Sequence, residues 1–120
     1  MMKPRNEILE ISFEFALKII EFTDELDRQK KYAISQQLIR SGTSVGANIR
    51  EAQSCESKRD FIHKLKIAHK EAEETEYWLL LCQKAPSYPS PENNMFTQLL
   101  SIQKLLSAII STTRKNMTKK

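Results

Sequence analysis

The chain has almost nothing with which to break a helix. Its 120 residues include two glycines and four prolines, and the glycines stand four residues apart in Ser41-Gly42-Thr43-Ser44-Val45-Gly46-Ala47-Asn48. A glycine inside a helix costs roughly 1 kcal/mol relative to alanine, so two in one helical segment need a reason. Close approach of another backbone supplies one, because Gly42, Ser44, Gly46 and Ala47 leave almost no side chain in the way. The segment reads as a helix-packing and assembly motif carried by Ser41, Gly42, Ser44, Val45, Gly46 and Asn48. It is not a phosphate loop, since no Gly-Lys-Ser/Thr ending and no preceding strand accompany it.

Apolar periodicity divides the chain into four helices. The first, over residues 6–27, carries two stripes: Leu9, Phe13, Ala16 and Ile20, and beside it Phe15, Ile19, Phe22 and Leu26. One stripe suffices to line a bundle core, so two imply a helix covered on both flanks, by its own chain and by another. The second helix, over 32–55, places Ile34, Leu38, Val45, Ile49 and Ala52 on one face. Ser57 with Asp60 three positions on reads as a capping box. It opens a third helix over 58–84, whose heptad stripe is Phe61, Leu65, Ala68, Ala72, Thr75 and Leu79. Pro86, Pro89 and Pro91 then break the chain, with Ser90 as N-cap and Pro91 at the first helical position of a fourth helix over 91–115. Met95, Leu99, Ile102, Leu106 and Ile109 form its stripe. Long helices with short connections predict an all-α, antiparallel up-down-up-down four-helix bundle. It is read as a single domain over residues 1–120, ending in a basic tail at 116–120.

The net charge of +4 is unevenly placed. All 15 acids lie within residues 6–110, whereas six of the 19 Lys and Arg lie outside that span, so the body carries −2 and the ends +6. A basic tail is read first as a solvated, frayed end. The predicted topology nevertheless brings both termini and the second connection to one end of the bundle. That gathers Lys3, Arg5, Lys58, Arg59, Arg114, Lys115, Lys119 and Lys120 into a candidate footprint for phosphate backbones. No helix-turn-helix or zinc pattern offers sequence-specific readout. Tyr77 and Trp78 are read as packing against loop residues such as Tyr88 rather than stacking on bases.

Catalytic and metal chemistry find little support. His63 and His69 are six residues apart, about 240° round a helix, and cannot share one ion there. Asp60 and His63 have the spacing of a carboxylate–histidine unit of a di-iron bundle, but the second unit is missing. His69, Glu73 and Glu76 share a helix face, which reads as a solvated surface or an intersubunit polar contact before it reads as a metal site. Cys55 and Cys82 fall at opposite ends of an antiparallel pair, roughly 35 Å apart, far beyond disulfide reach. Free thiols fit a reducing compartment. Asn48 is read as a buried polar contact fixing helix register, with ligand binding as the alternative. No apolar run is long enough to span a membrane. The N-terminal segment lacks the order of a signal peptide, and a cytoplasmic location is expected. No cofactor and no catalytic residue are expected.

The stretch Gln37-Leu38-Ile39-Arg40-Ser41-Gly42-Thr43-Ser44-Val45-Gly46-Ala47-Asn48-Ile49-Arg50-Glu51-Ala52 resembles the signature of a bacterial four-helix-bundle family. That family was first met as proteins encoded in intervening sequences of 23S ribosomal RNA genes. Asp60-Phe61, Lys64 to Ala68 and Lys70 to Leu79 match its third-helix pattern. The resemblance implies a four-helix protomer that assembles as a homopentameric ring, and carries over no catalytic residues. It extends distantly to the accessory variability protein of diversity-generating retroelements, a basic pentameric barrel working with a reverse transcriptase and RNA. The body of the present chain is not basic in that way. The expected function is a non-enzymatic oligomeric scaffold that binds RNA or DNA through one basic end. The alternative is a protein–protein or structural assembly with no nucleic-acid role.

Overall fold

The computed structural model describes residues 4–118, with side chains from Glu7 to Thr118. Lys3, Lys119, Lys120 and the Arg5 side chain therefore lie outside the described residues. Four helices and no strand are formed among those described: α1 (Pro4–Arg28), α2 (Tyr32–Ala52), α3 (Lys58–Lys84) and α4 (Asn93–Thr118).

The helix ends follow local chemistry. Lys30 takes a left-handed conformation (φ 62°) after α1. The Lys30 amide then donates to the Asp27 carbonyl at 2.9 Å and the Lys31 amide to the Leu26 carbonyl at 2.8 Å. This closes α1 with a Schellman motif in which lysine occupies the position usually given to glycine. Helix α2 ends at Ala52 rather than Cys55, because the amides of Gln53, Ser54 and Cys55 tighten onto the carbonyls three residues back. Ser57 caps α3 as its spacing predicts, its side chain accepting from the Asp60 amide at 3.0 Å. Ser90 and Pro91 do not open α4. That helix begins two residues later, after a turn in which the Met95 amide donates to the Glu92 carbonyl at 3.0 Å, and Pro91 is buried.

Helix α1 packs on α2, α2 on α3, α3 on α4, and α4 back on α1, in a body of 56 × 25 × 20 Å. Cross-helix pairs fix the antiparallel sense at three seams, the first together with Gly42 facing Ile19 and Gly46 facing Ser12. Ser35 bonds the Thr23 carbonyl, Arg40 meets Glu71 and Glu74 while Glu51 meets Lys64, and Glu76 meets Gln103 while His69 meets Ser107.

The core selects one of the two α1 stripes. Phe15, Ile19 and Leu26 are fully buried, joined by Ile8, Ser12 and Thr23. Of the other stripe, Leu9 packs at the edge of the core and Ala16 is half-buried, while Phe13 and Ile20 turn outward, 55% and 43% exposed, with Leu17 beside them at 48%. The α3 heptad is buried throughout from Phe61 to Leu79. On α4, Ile110 and Thr113 take the core positions and Ile109 is only half-buried.

A basic groove as candidate nucleic-acid interface

The small-residue segment of α2 works inside the protomer. Ser41 and Gly42 are buried, and Gly42 faces Ile19 of α1. Gly46 faces the Ser12 backbone with room for a methyl group, since a Cβ there would lie 3.4 Å from the Ser12 carbonyl oxygen. Within the protomer Asn48 bonds its own helix rather than a neighbouring one. Its Nδ2 donates at 2.9 Å to the Ser44 carbonyl of its own helix, because the side chain is only half-buried and finds a local acceptor. Across the α2–α3 seam the buried polar contact is a 2.9 Å hydrogen bond between the hydroxyls of Thr75 and Ser41. Sequence alone gave no sign of it, because Thr75 reads as one more heptad position.

The α2–α3 seam is electrically closed. Arg40 bridges Glu71 at 3.1 Å and also binds Glu74, and Lys64 pairs with Glu51 at 2.7 Å. Glu74 also accepts a 3.0 Å hydrogen bond from the Trp78 indole N–H. That bond first, and the Arg40 guanidinium second, hold the Glu74 carboxyl below its ordinary range. Tyr77 is 57% exposed, contrary to the expected packing on Tyr88, and meets Trp78 edge-to-face at 5.3 Å between centroids. Tyr88 instead carries Lys31 over its ring at 4.8 Å.

The α3–α4 seam differs. An open groove of about 720 Å³ runs between the first half of α3 and the last half of α4. Lys66, Lys70, Arg114 and Lys115 line it, Ile67 and Ile110 contribute apolar surface, and Ser107 and Ser111 contribute hydroxyls. His63, His69 and the single acid Glu73 complete the lining. All four cations are exposed, and among the described residues none enters an ion pair. Glu73 is 3.6 Å from His69 Nδ1, and Glu76 accepts from Gln103 at 3.3 Å. His69 and Glu73 thus face each other, while Glu76 turns to Gln103 of α4. Among the described residues no group of three or more His, Cys, Asp or Glu is placed to hold a metal ion.

Of the basic residues read from sequence, Arg114 and Lys115 belong to this groove, whereas Lys58 and Arg59, the first two residues of α3, do not line it. Lys66 and Lys70 were missed. Their i, i+4 spacing on one helix face was the available signal, but the cations had been grouped by bundle end rather than by face. Cys55 and Cys82 are free thiols, and burial pushes Cys82 up to about 11. No described helix is long and apolar enough to cross a membrane.

These features define a four-helix bundle with a closed ionic seam on one side, an uncovered apolar stripe on α1, and a basic lateral groove. The chain belongs to the 23S rRNA-intervening sequence protein family, whose model matches residues 5–108. It is similar to a crystal structure from Bacteroides thetaiotaomicron VPI-5482, a protein with unknown function from the S23 ribosomal protein family. The two share 42% identity and a TM-score of 0.86, over 91% of this chain and 99% of that one. No curated protein matches this chain.

Proposed function

We propose that this chain is a non-enzymatic scaffold that assembles with copies of itself and holds nucleic acid by charge. One observation carries the reading: the protomer has two unsatisfied surfaces on opposite sides. Because the helices pack in cyclic order, the α1–α2 seam lies across the bundle from the α3–α4 seam. The first presents Phe13, Leu17 and Ile20 beside the small residues Thr43, Gly46 and Ala47. The second presents four unpaired cations. Contiguous exposed apolar surface marks an association site, and clustered unpaired cations attract phosphate backbones.

The homopentameric ring that the family resemblance implies is the assembly we infer, with a cytoplasmic location suited to two free thiols. Light scattering at micromolar protein tests the scaffold: five times the 14.0 kDa protomer mass is expected, and a monomer overturns it. Fluorescence anisotropy on labelled RNA and DNA at about 50 and 200 mM salt tests the charge. An oligomer with no affinity at the lower salt leaves the second reading, a protein-interaction assembly, which the apolar stripe alone favours.

A further inference from the structure

The nucleic-acid reading locates a charge without saying what shape of ligand meets it. We infer that the α3–α4 groove is the binding site, and that it takes the phosphodiester backbone of a single strand, without base specificity. Lys66 and Lys70 on one wall and Arg114 and Lys115 on the other serve as the phosphate contacts. This inference rests on the reading above and goes further by fixing the site and the ligand's form.

Charge is the first argument. A cation that ties two helices together is placed on an acid, as Arg40 and Lys64 are on the α2–α3 seam, whereas the groove gathers its cations from two facing helices around one depression. The groove has four cations against Glu73, and Glu73 is 3.6 Å from His69. Nothing described in the protomer neutralises the excess. Like charges gathered on facing helices repel one another, so the arrangement costs the bare protomer stability that a polyanion would restore.

Shape is the second argument. The axes of adjacent packed helices stand roughly 8–10 Å apart, less than the side-chain diameter of about 10–12 Å of each, so the groove between them is a narrow furrow that one backbone can follow along its length. The lining of α3 from His63 to Glu73 rises about 15 Å at 1.5 Å per residue, enough for a short run of nucleotides and too long for one phosphate. The hydroxyls of Ser107 and Ser111 are neutral donors along the same wall. Half-buried Ile67 offers apolar surface for sugar and base faces, above the core residue Ile110 at the groove floor. No set of convergent amides or carboxylates faces a base edge there, so binding follows the backbone, as in other single-strand grooves.

The test uses the full chain, a labelled single-stranded oligouridylate, a DNA duplex of equal length, and two variants matched in charge. One is Lys66→Gln/Lys70→Gln in the groove, and the other is Lys58→Gln/Arg59→Gln at the start of α3. All four side chains are exposed, and unchanged helical circular dichroism confirms that both variants fold. Four phosphate contacts predict that single-strand affinity falls about 50-fold between 50 and 200 mM salt. The groove variant should lose affinity at least tenfold, with a logarithmic salt slope smaller by about 1.4. The matched variant should stay within about twofold of the parent. Equal losses in the two variants, or a duplex bound as tightly as the strand, overturn the groove while leaving nucleic-acid binding intact. Failure of the parent chain to bind any nucleic acid at 50 mM salt overturns both the groove and the reading beneath it.

Discussion

Ile19 of α1 occupies the space into which a side chain at Gly42 would grow: a Cβ built on Gly42 would lie 2.7 Å from Ile19 Cγ1 and 2.9 Å from Cγ2. Those branch atoms sit close to the Ile19 backbone and cannot swing away as the end of a long side chain can. Gly42 therefore lets α1 and α2 approach at the cost of helix propensity. Overpacking costs about 1–3 kcal/mol, while alanine returns about 1 kcal/mol of propensity. Gly42→Ala should thus destabilise the bundle by up to about 2 kcal/mol in urea unfolding. In an Ile19→Ala background the same change should become stabilising, because only the propensity gain remains. A double-mutant cycle with no coupling would refute the contact. Gly46→Ala, with its ordinary 3.4 Å clearance from the Ser12 carbonyl oxygen, should be neutral or stabilising.

Lys30 holds φ at 62° to close the Schellman motif between Asp27 and Lys31. A side chain there costs roughly 1–2 kcal/mol that glycine avoids. Its side chain is exposed and makes no described contact. Lys30→Gly should raise the unfolding free energy by about 1 kcal/mol, whereas Lys30→Ala should not. Equal effects of the two would mean that the turn relaxes away from the left-handed conformation.

The α3 heptad was legible because its repeat admits one phase: Phe61, Leu65, Ala68, Ala72, Thr75 and Leu79 all reached the core. Helix α1 was legible only as a helix with two stripes. Leu9, Phe13, Ala16 and Ile20 repeat as regularly as Phe15, Ile19, Phe22 and Leu26, and only packing against α2 and α4 chooses the second set. The Ser41–Thr75 bond was hidden for a different reason, since hydroxyls at core positions declare no partner until two helices are docked. The groove was hidden because its walls come from segments more than forty residues apart, Lys66 and Lys70 on one and Arg114 and Lys115 on the other. Summing charge along the chain placed those cations by sequence, whereas the ligand would meet them by face.

Trp78, the single tryptophan, donates its indole N–H to Glu74 Oε2 at 3.0 Å. The Glu74 carboxyl is held below its ordinary 4.5 by that bond and by Arg40. Folding favours the ionised form, so this contribution to stability is present above pH 4.5 and is lost as pH falls through the lower folded value. Tryptophan emission should therefore shift on acidification with a midpoint below 4.5. Arg40→Ala should move the midpoint upward, and Glu74→Gln should abolish the transition. A transition that survives Glu74→Gln would assign it to another group.

Cys82 is fully buried near the end of α3, and burial alone raises its thiol from 9.0 to about 11. Cys55, after α2, is half-buried. An aromatic disulfide reagent near neutral pH should titrate one thiol in the native protein and two after denaturation, because only the thiolate reacts. The pH dependence follows with its sign. The unfolded thiol ionises from about 9, the folded one only towards 11, so stability falls as pH rises through that interval. Unfolding midpoints of the parent chain and Cys82→Ala should converge as pH increases across it. Parallel curves would mean that Cys82 ionises alike in both states.

Phe13, Leu17 and Ile20 are 55%, 48% and 43% exposed on a helix whose core face is already filled by Phe15, Ile19 and Leu26. Their spacing of four and three keeps them on one strip of α1, next to the shallow α1–α2 depression lined by Ala16, Gly46 and Ala47. In an isolated protomer these side chains contribute little, and exposed substitutions usually change stability by less than about 0.5 kcal/mol. At an interface, burial of the exposed half of each would contribute roughly 1 kcal/mol. Phe13→Ser/Leu17→Ser/Ile20→Ser should therefore reduce the assembly to monomers by light scattering while leaving the helical content of the protomer unchanged. Gly46→Leu should instead disturb the α1–α2 seam of the protomer itself, because the Ser12 backbone leaves room for little more than a methyl group. If the triple variant keeps the parent's oligomeric mass, the stripe is not the assembly face. The remaining large exposed apolar residues among those described, Tyr32, Tyr77, Leu80, Leu100 and Met117, would then be the next to substitute.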